Sequence, residues 1–168
     1  MTAGIILAQA LFNSGKYVQT FPIFGVERRG APVAAYVRVG NSEILQRYNV
    51  YKPNDVVVLD PALLDVVDVY DGWKGSINGL VLINGQTEET NQAVYFVDAK
   101  EIAWKHGLGS KQAPVVNTTV VGAYLALSGV GLKHGLDAVE MHVPAKLESN
   151  KAAFVDGYEA IAPRGGLI

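Results

Sequence analysis

A chain of 168 residues, 49% hydrophobic and 18% charged, reads as one globular domain able to bury roughly 70% of the surface its unfolded form exposes. It has no cysteine, which excludes structural disulfides and any iron–sulfur cluster ligated by thiolates of this chain. A net charge of −2 without a basic block gives nucleic acid little to bind, and no apolar run approaches the ~20 residues of a membrane span.

In chain order, Thr2–Ser14 reads as a helix. Ile5, Ile6, Ala8, Gln9, Leu11 and Phe12 recur near a 3.6-residue period, and Gly15 supplies the stop. The segment is apolar nearly all round, so burial on more than one face is expected. It lacks the basic start of a signal peptide, which fits a cytoplasmic protein. Tyr17–Phe21 and Val33–Val37 are β-like runs of branched and aromatic residues. Gly40-Asn41-Ser42 is a turn, and Glu43–Arg47 reads as a short strand. Val56–Leu59, bounded by Asp55 and by Asp60-Pro61, has the pattern of a central strand buried on both faces. Asp60 admits two readings. It is a ligand at the strand's C-terminal edge, where α/β crevices open, or the cap of a helix Ala62–Tyr70 with Pro61 at its first position. The Asp-Pro start signal favours the cap. On that helix Asp65, Asp68 and Asp71 would form a solvated face.

Gly79–Asn84 and Ala93–Asp98 are further buried strands, separated by a polar loop. Ala99–His106 is a short helix with Trp104 packing inward. After the loop Gly109–Pro114, Asn117-Thr118-Thr119 caps an apolar helix to Ser128, closed by Gly129. Gly122 and Ala123 give that helix a small-residue face for close backbone approach. Gly135–His142 and Ala145–Ala162 are the last helices, and residues 163–168 form a tail. In the final helix Asn150, Ala153, Phe154, Gly157 and Tyr158 lie near one stripe. Strands alternating with helices imply a single three-layer α/β/α domain, residues 1–168, with a mostly parallel, mixed sheet.

The chemistry-bearing stretch is residues 22 to 32, between the first two strands. It holds Phe24, Gly25, Glu27, Arg28, Arg29 and Gly30 between two prolines. Prolines fix its entry and exit, and the two guanidinium forks suit a carboxylate or phosphate. The competing reading is a structural turn whose arginines pair with Glu27 or another acid. No Walker A loop, GxSxG elbow or complete GxGxxG is present, and no serine has a neighbouring histidine. His106, His134 and His142 stand apart, without the HxH or HxxxH spacing of zinc ligands, and read as surface or cap residues. No catalytic set is self-sufficient here.

Gly15-Lys16-Tyr17, Phe21-Pro22, Phe24-Gly25, Glu27 through Pro32 and Arg38 closely resemble the gamma subunit of 2-oxoacid:ferredoxin oxidoreductases. The likeness continues through Pro53–Asp60, Asn117-Thr118-Thr119 with Gly122-Ala123, and Asn150 with Ala153-Phe154 and Gly157-Tyr158-Glu159. The resemblance implies an accessory subunit of a complex that oxidatively decarboxylates a 2-oxoacid, with pyruvate the commonest. Such a complex passes electrons to ferredoxin or another acceptor and the acyl group to coenzyme A. Thiamine diphosphate, Mg and iron–sulfur clusters would sit in alpha, beta and delta-type subunits, with no cofactor held by this chain alone. It makes Phe24, Gly25, Glu27, Arg28, Arg29, Gly30, Asn117 and Thr118 candidates for contact with coenzyme A or another subunit. Members of that family open with a strand and a GxGGQG turn ahead of the helix that here begins at Thr2. The first strand and turn are therefore expected to be missing, leaving apolar surface that depends on partners for stability. The alternatives are a stand-alone nucleotide- or coenzyme-A-binding module, or a hydrolase without a nucleophile–base pair.

Overall fold

The computed structural model describes residues 1–23, 32–73, 79–86 and 93–161. The chain opens with helix α1 (Thr2–Asn13), followed by strands β1 (Tyr17–Ile23) and β2 (Ala34–Gly40). Strands β3 (Val56–Val58), β4 (Val81–Asn84) and β5 (Val94–Val97) come next, and helices α2 (Ala99–Lys105), α3 (Asn117–Ser128), α4 (Leu132–His142) and α5 (Leu147–Glu159) complete it. β1 and β2 form an antiparallel pair, with Tyr17 opposite Gly40 and Ile23 opposite Ala34. β3, β4 and β5 form a separate parallel sheet in that order.

The α/β class expected from the alternating pattern holds, but the centre of the sheet is displaced. The Val56–Leu59 run supplies an outer strand, and β4 is the middle one. Every residue from Leu80 to Asn84 is buried, as a strand covered on both faces requires. One face of the sheet, with Leu80, Leu82 and Val97, joins the helical core. The other face, with Val58, Val81 and Ile83, packs against Leu63, Val69 and Trp73. The layer over that second face is therefore residues 61–73. It is not the helix Ala62–Tyr70 of the sequence reading, because only Pro61–Asp65 forms a 3₁₀ turn. Asp60 caps it, accepting from Ala62 N at 3.1 Å. Leu63 reaches the sheet from this turn, and Val69 and Trp73 reach it from the irregular backbone that follows. Glu43–Arg47 likewise forms no strand.

α3 is the hub of the helical side, with every residue from Thr118 to Ser128 buried. A helix apolar on all sides is stable only when surrounded. α5 crosses it at backbone contact. A methyl group added to Gly122 would overlap the Phe154 carbonyl, and one added to Gly157 would overlap the Thr119 carbonyl. The small-residue face and the α5 stripe seen in the sequence are thus the two sides of one seam. The Phe154 ring fills the space above Gly135 of α4 and is fully buried. α3 ends at Gly129, in the left-handed region at φ 75°, which lets Val130 N return to Leu125 O at 3.1 Å.

Two polar ties bind this hub to its surroundings. Tyr124 on α3 donates to Asp55 Oδ2 at 2.6 Å, while Asp55 Oδ1 accepts from Leu80 N at 3.0 Å. Burial first, and then the adjacent carboxylate, hold the Tyr124 phenol well above its ordinary range, so it stays a donor. α2 is held to α5 by Lys105 Nζ and His106 Nε2, at 2.7 and 2.8 Å from the same oxygen of Asp156. Those hydrogen bonds, Lys105 first, lower the Asp156 carboxyl from its ordinary value. His106 also ends α2 at the C-cap, so it has the cap role read from the sequence. Trp104 corrects the reading: it is 38% exposed, with Nε1 donating to Ser110 O at 3.3 Å.

The α3–α5 seam yields a prediction. Gly→Ala in an exposed helix stabilises by about 1 kcal/mol. At Gly157 the obstacle is backbone, so overpacking outweighs that gain. Gly157→Ala is expected to lower stability by about 1–3 kcal/mol, read as a lower urea midpoint. An unchanged or higher midpoint contradicts the close approach.

Candidate functional site

The hairpin has two unlike faces, set by the two-residue period of its strands. Val18 and Val37 pack into the core, and Thr20 and Ala35 lie beside Gly4 of α1. The other face presents Gln19, Phe21, Tyr36 and Arg38, paired across the ladder as Gln19 with Arg38 and Phe21 with Tyr36. Arg38 organises this face. Nη1 donates to Gln19 Oε1 at 3.0 Å and to Gln46 O at 3.4 Å, and Nη2 donates to Tyr48 O. Its Cζ lies 5.3 Å from the Phe21 ring centroid and 4.9 Å from that of Tyr48. The Phe21 and Tyr36 rings are 5.6 Å apart.

Among the described residues this guanidinium meets no carboxylate. Carbonyl dipoles and aromatic faces stabilise it instead, a role for which a planar fork is suited and an ammonium is not. The clamp folds residues 46–48 back onto the hairpin. It also accounts for the missing strand at Glu43–Arg47: Gln46 and Tyr48 offer their carbonyls to a side chain instead of a ladder.

Phe24, Gly25, Glu27, Arg28, Arg29 and Gly30 lie outside the described residues. They join Ile23 to Ala34, which face each other across the hairpin. Asn117 and Thr118 are the first two residues of α3, far from that hairpin in sequence and on a different element. Val116, not Asn117, occupies the cap position, and no side chain caps the helix. Asn117 is half-buried. Thr118 is buried, and its hydroxyl donates to Asn150 Oδ1 at 3.0 Å. Asn150 Nδ2 in turn donates to the Ala145 and Lys146 carbonyls at 3.2 and 3.1 Å. The Thr118 hydroxyl is thus engaged in joining α3 to α5.

The C-terminal edge of the parallel strands is where α/β crevices open. Among the described residues, side chains tie this edge together. Asn84 Nδ2 donates to Leu59 O at 2.7 Å, and its Oδ1 accepts from Ala99 N at 3.1 Å. Asp98 caps α2 through Glu101 N at 3.0 Å and accepts from Gln86. With Asp60 and Asp98 at that edge, phosphate is disfavoured by like charge. Among the described residues no three His, Cys, Asp or Glu side chains gather as a metal ion requires, and no helix is long and apolar enough to cross a membrane. The sequence reading missed Asn84 and the Arg38 clamp. The signal for the clamp was the pairing of Gln19 with Arg38, which needs the hairpin register.

These features define an α/β domain that carries an arginine-clamped hairpin on a rigid helical core. Residues 1–160 match the profile of the pyruvate ferredoxin/flavodoxin oxidoreductase family. The chain belongs to this family, as a gamma-type subunit of pyruvate/2-oxoacid:ferredoxin oxidoreductase. It is similar to pyruvate synthase subunit PorC of Methanothermobacter marburgensis, 42% identical over 169 residues, covering 98% of this chain and 92% of the relative. It is similar to the pyruvate/ketoisovalerate oxidoreductases common subunit gamma of Pyrococcus furiosus, 41% identical, covering 95% and 89%. The crystal structure of pyruvate oxidoreductase subunit PORC from Thermotoga maritima superposes with a TM-score of 0.71 at 30% identity, covering 94% of this chain and 87% of that one. The resemblance drawn from the sequence motifs therefore holds across the chain.

The clamp makes a testable demand. Arg38→Gln keeps a hydrogen-bond donor but loses the charge and the fork. Removing charged hydrogen bonds worth about 1.5 kcal/mol raises the open population of residues 43–52 about tenfold. Tryptic cleavage after Arg47 and Lys52 is expected to accelerate by that factor. Equal cleavage rates in the two proteins contradict the clamp.

Proposed function

We propose that this chain is the docking and closure subunit of a cytoplasmic complex that oxidatively decarboxylates a 2-oxoacid. The products are acyl-coenzyme A, CO2 and a reduced ferredoxin or similar acceptor. The observation that carries the reading is identity above 40% with named gamma-type subunits over nearly the whole chain. Alpha, beta and delta-type subunits are the partners. Pyruvate is the favoured substrate, since pyruvate is named for both relatives. One of those relatives is named as common to pyruvate and ketoisovalerate oxidoreductases. That supports placing substrate choice in the other subunits.

Among the described residues, no set of side chains fits the complex's redox groups. Without cysteine it offers no thiolate to an iron–sulfur cluster. Thiamine diphosphate with its Mg ion needs oxygen ligands converging on one point. The acids at the sheet edge are engaged as helix caps instead. No chemical step is therefore routed through this subunit. Its part is to bind and position. The segment Phe24, Gly25, Glu27, Arg28, Arg29, Gly30 meets coenzyme A or a neighbouring subunit, with half-buried Asn117 as a second contact, while Thr118, buried and bonded to Asn150, serves the α3–α5 join instead. The two arginines supply charge for a carboxylate or phosphate.

The test is Arg28→Ala with Arg29→Ala in the assembled complex, purified through a tag on this chain with iron and thiamine content measured. Retained iron and thiamine with about a tenfold weaker apparent affinity for coenzyme A assigns the loop to that ligand. Loss of the iron- and thiamine-bearing chains assigns it to docking. If neither changes, the loop is only a turn. If the wild-type chain brings down no iron or thiamine, the subunit reading fails.

A further inference from the structure

Residues 44–51 and 61–71 both carry exposed apolar side chains, and residues 61–71 are also acidic. Leu45, Tyr51 and Val66 are 75%, 72% and 70% exposed, and Tyr48, Val67 and Tyr70 are exposed beside them. The two segments abut. Gly72 lies directly against the Tyr51 carbonyl, Trp73 Nε1 donates to Asn54 O at 2.6 Å, and the Tyr70 and Trp73 rings are 6.0 Å apart. Arg38 continues the surface to the hairpin by holding Tyr48 against it. Exposed apolar residues scattered singly are ordinary, but this many on two abutting segments mark an interaction site.

Its charge indicates what covers it. Residues 53–73 contain Asp55, Asp60, Asp65, Asp68 and Asp71 and no lysine or arginine, whereas residues 44–52 carry Arg47 and Lys52 and no acid. Asp55 is engaged by Tyr124 and Leu80, Asp60 caps Ala62 N, and Asp68 accepts from Tyr70 N. Among the described residues none of the five is in an ion pair. A second copy of this chain seated with residues 61–71 on their own counterpart would set Asp65, Asp68 and Asp71 against one another. Nucleic acid and anionic lipid are repelled for the same reason.

Resting on the subunit reading above, we propose that this ledge is the docking face for a different protein chain of the complex, one with an apolar centre ringed by lysine or arginine. The apolar residues supply the contact that holds, and the aspartates supply steering and orientation.

The test titrates tagged chain against the remaining subunits at low and high salt. Val66→Ser is expected to weaken assembly about tenfold at both salt levels. Asp65→Lys with Asp71→Lys is expected to weaken it at low salt and remove most of the salt dependence. Both changes lie on exposed side chains, and unaltered urea midpoints check that folding is intact. Met141→Ser, at an exposed residue of α4, is expected to leave assembly unchanged. Wild-type assembly with unchanged affinity in both ledge variants overturns the ledge while leaving the subunit reading intact. So does loss with Met141→Ser alone. Failure of the wild-type chain to assemble overturns both.

Discussion

Backbone-to-backbone contact between α3 and α5 is the constraint on which the rest of the structure depends. Gly122 and Gly157 each face a carbonyl of the opposite helix with no space for a side chain. At that separation α3 can be enclosed on all sides, and its buried residues become the common floor for α1, α4 and the parallel sheet. Phe154 fills what remains between α3 and α4. Close packing of this kind resists small changes in volume. It gives the domain one rigid side from which the hairpin and the sheet are referenced.

From that hub the polar ties run outward. Tyr124 fixes the entry of β3 through Asp55, and Asp55 in turn fixes the entry of β4 through Leu80 N. Asn84 fastens the exits of the same strands to α2. The sheet is thus pinned at both ends by side chains. Among the described residues, the hairpin's outer face and the ledge of residues 61–71 present exposed apolar or aromatic side chains. This is the arrangement expected of a chain that contributes surface to an assembly.

Much of this was legible in the sequence. The five long or short helices, the hairpin strands and the parallel strands follow from apolar periodicity, and the glycines at 122 and 157 marked the seam before its partner was known. What was not legible depends on tertiary contact. The Val56–Leu59 run looks central because it is apolar throughout, but its flanks decide which strand lies in the middle. Residues 62–70 have helical spacing, yet the sheet draws Leu63, Val69 and Trp73 inward and leaves Val66 outside, which no single helix face accommodates. The three aspartates at 65, 68 and 71 therefore do not line a solvated helix face. They lie among exposed apolar residues. Arg38 is silent in the sequence because its partners, Gln19 and the carbonyls of Gln46 and Tyr48, depend on register and on a chain reversal.

On the proposal above, the rigid hub leaves two adjoining faces, the hairpin and the ledge, for partner chains. Hydrogen–deuterium exchange of the chain, alone and within the assembled complex, addresses it most directly. Amides of α3 are expected to be the slowest in both states. New protection on assembly is expected in residues 34–52 and 61–73. New protection confined to the outer surfaces of α4 and α5, with those two stretches unchanged, contradicts the account.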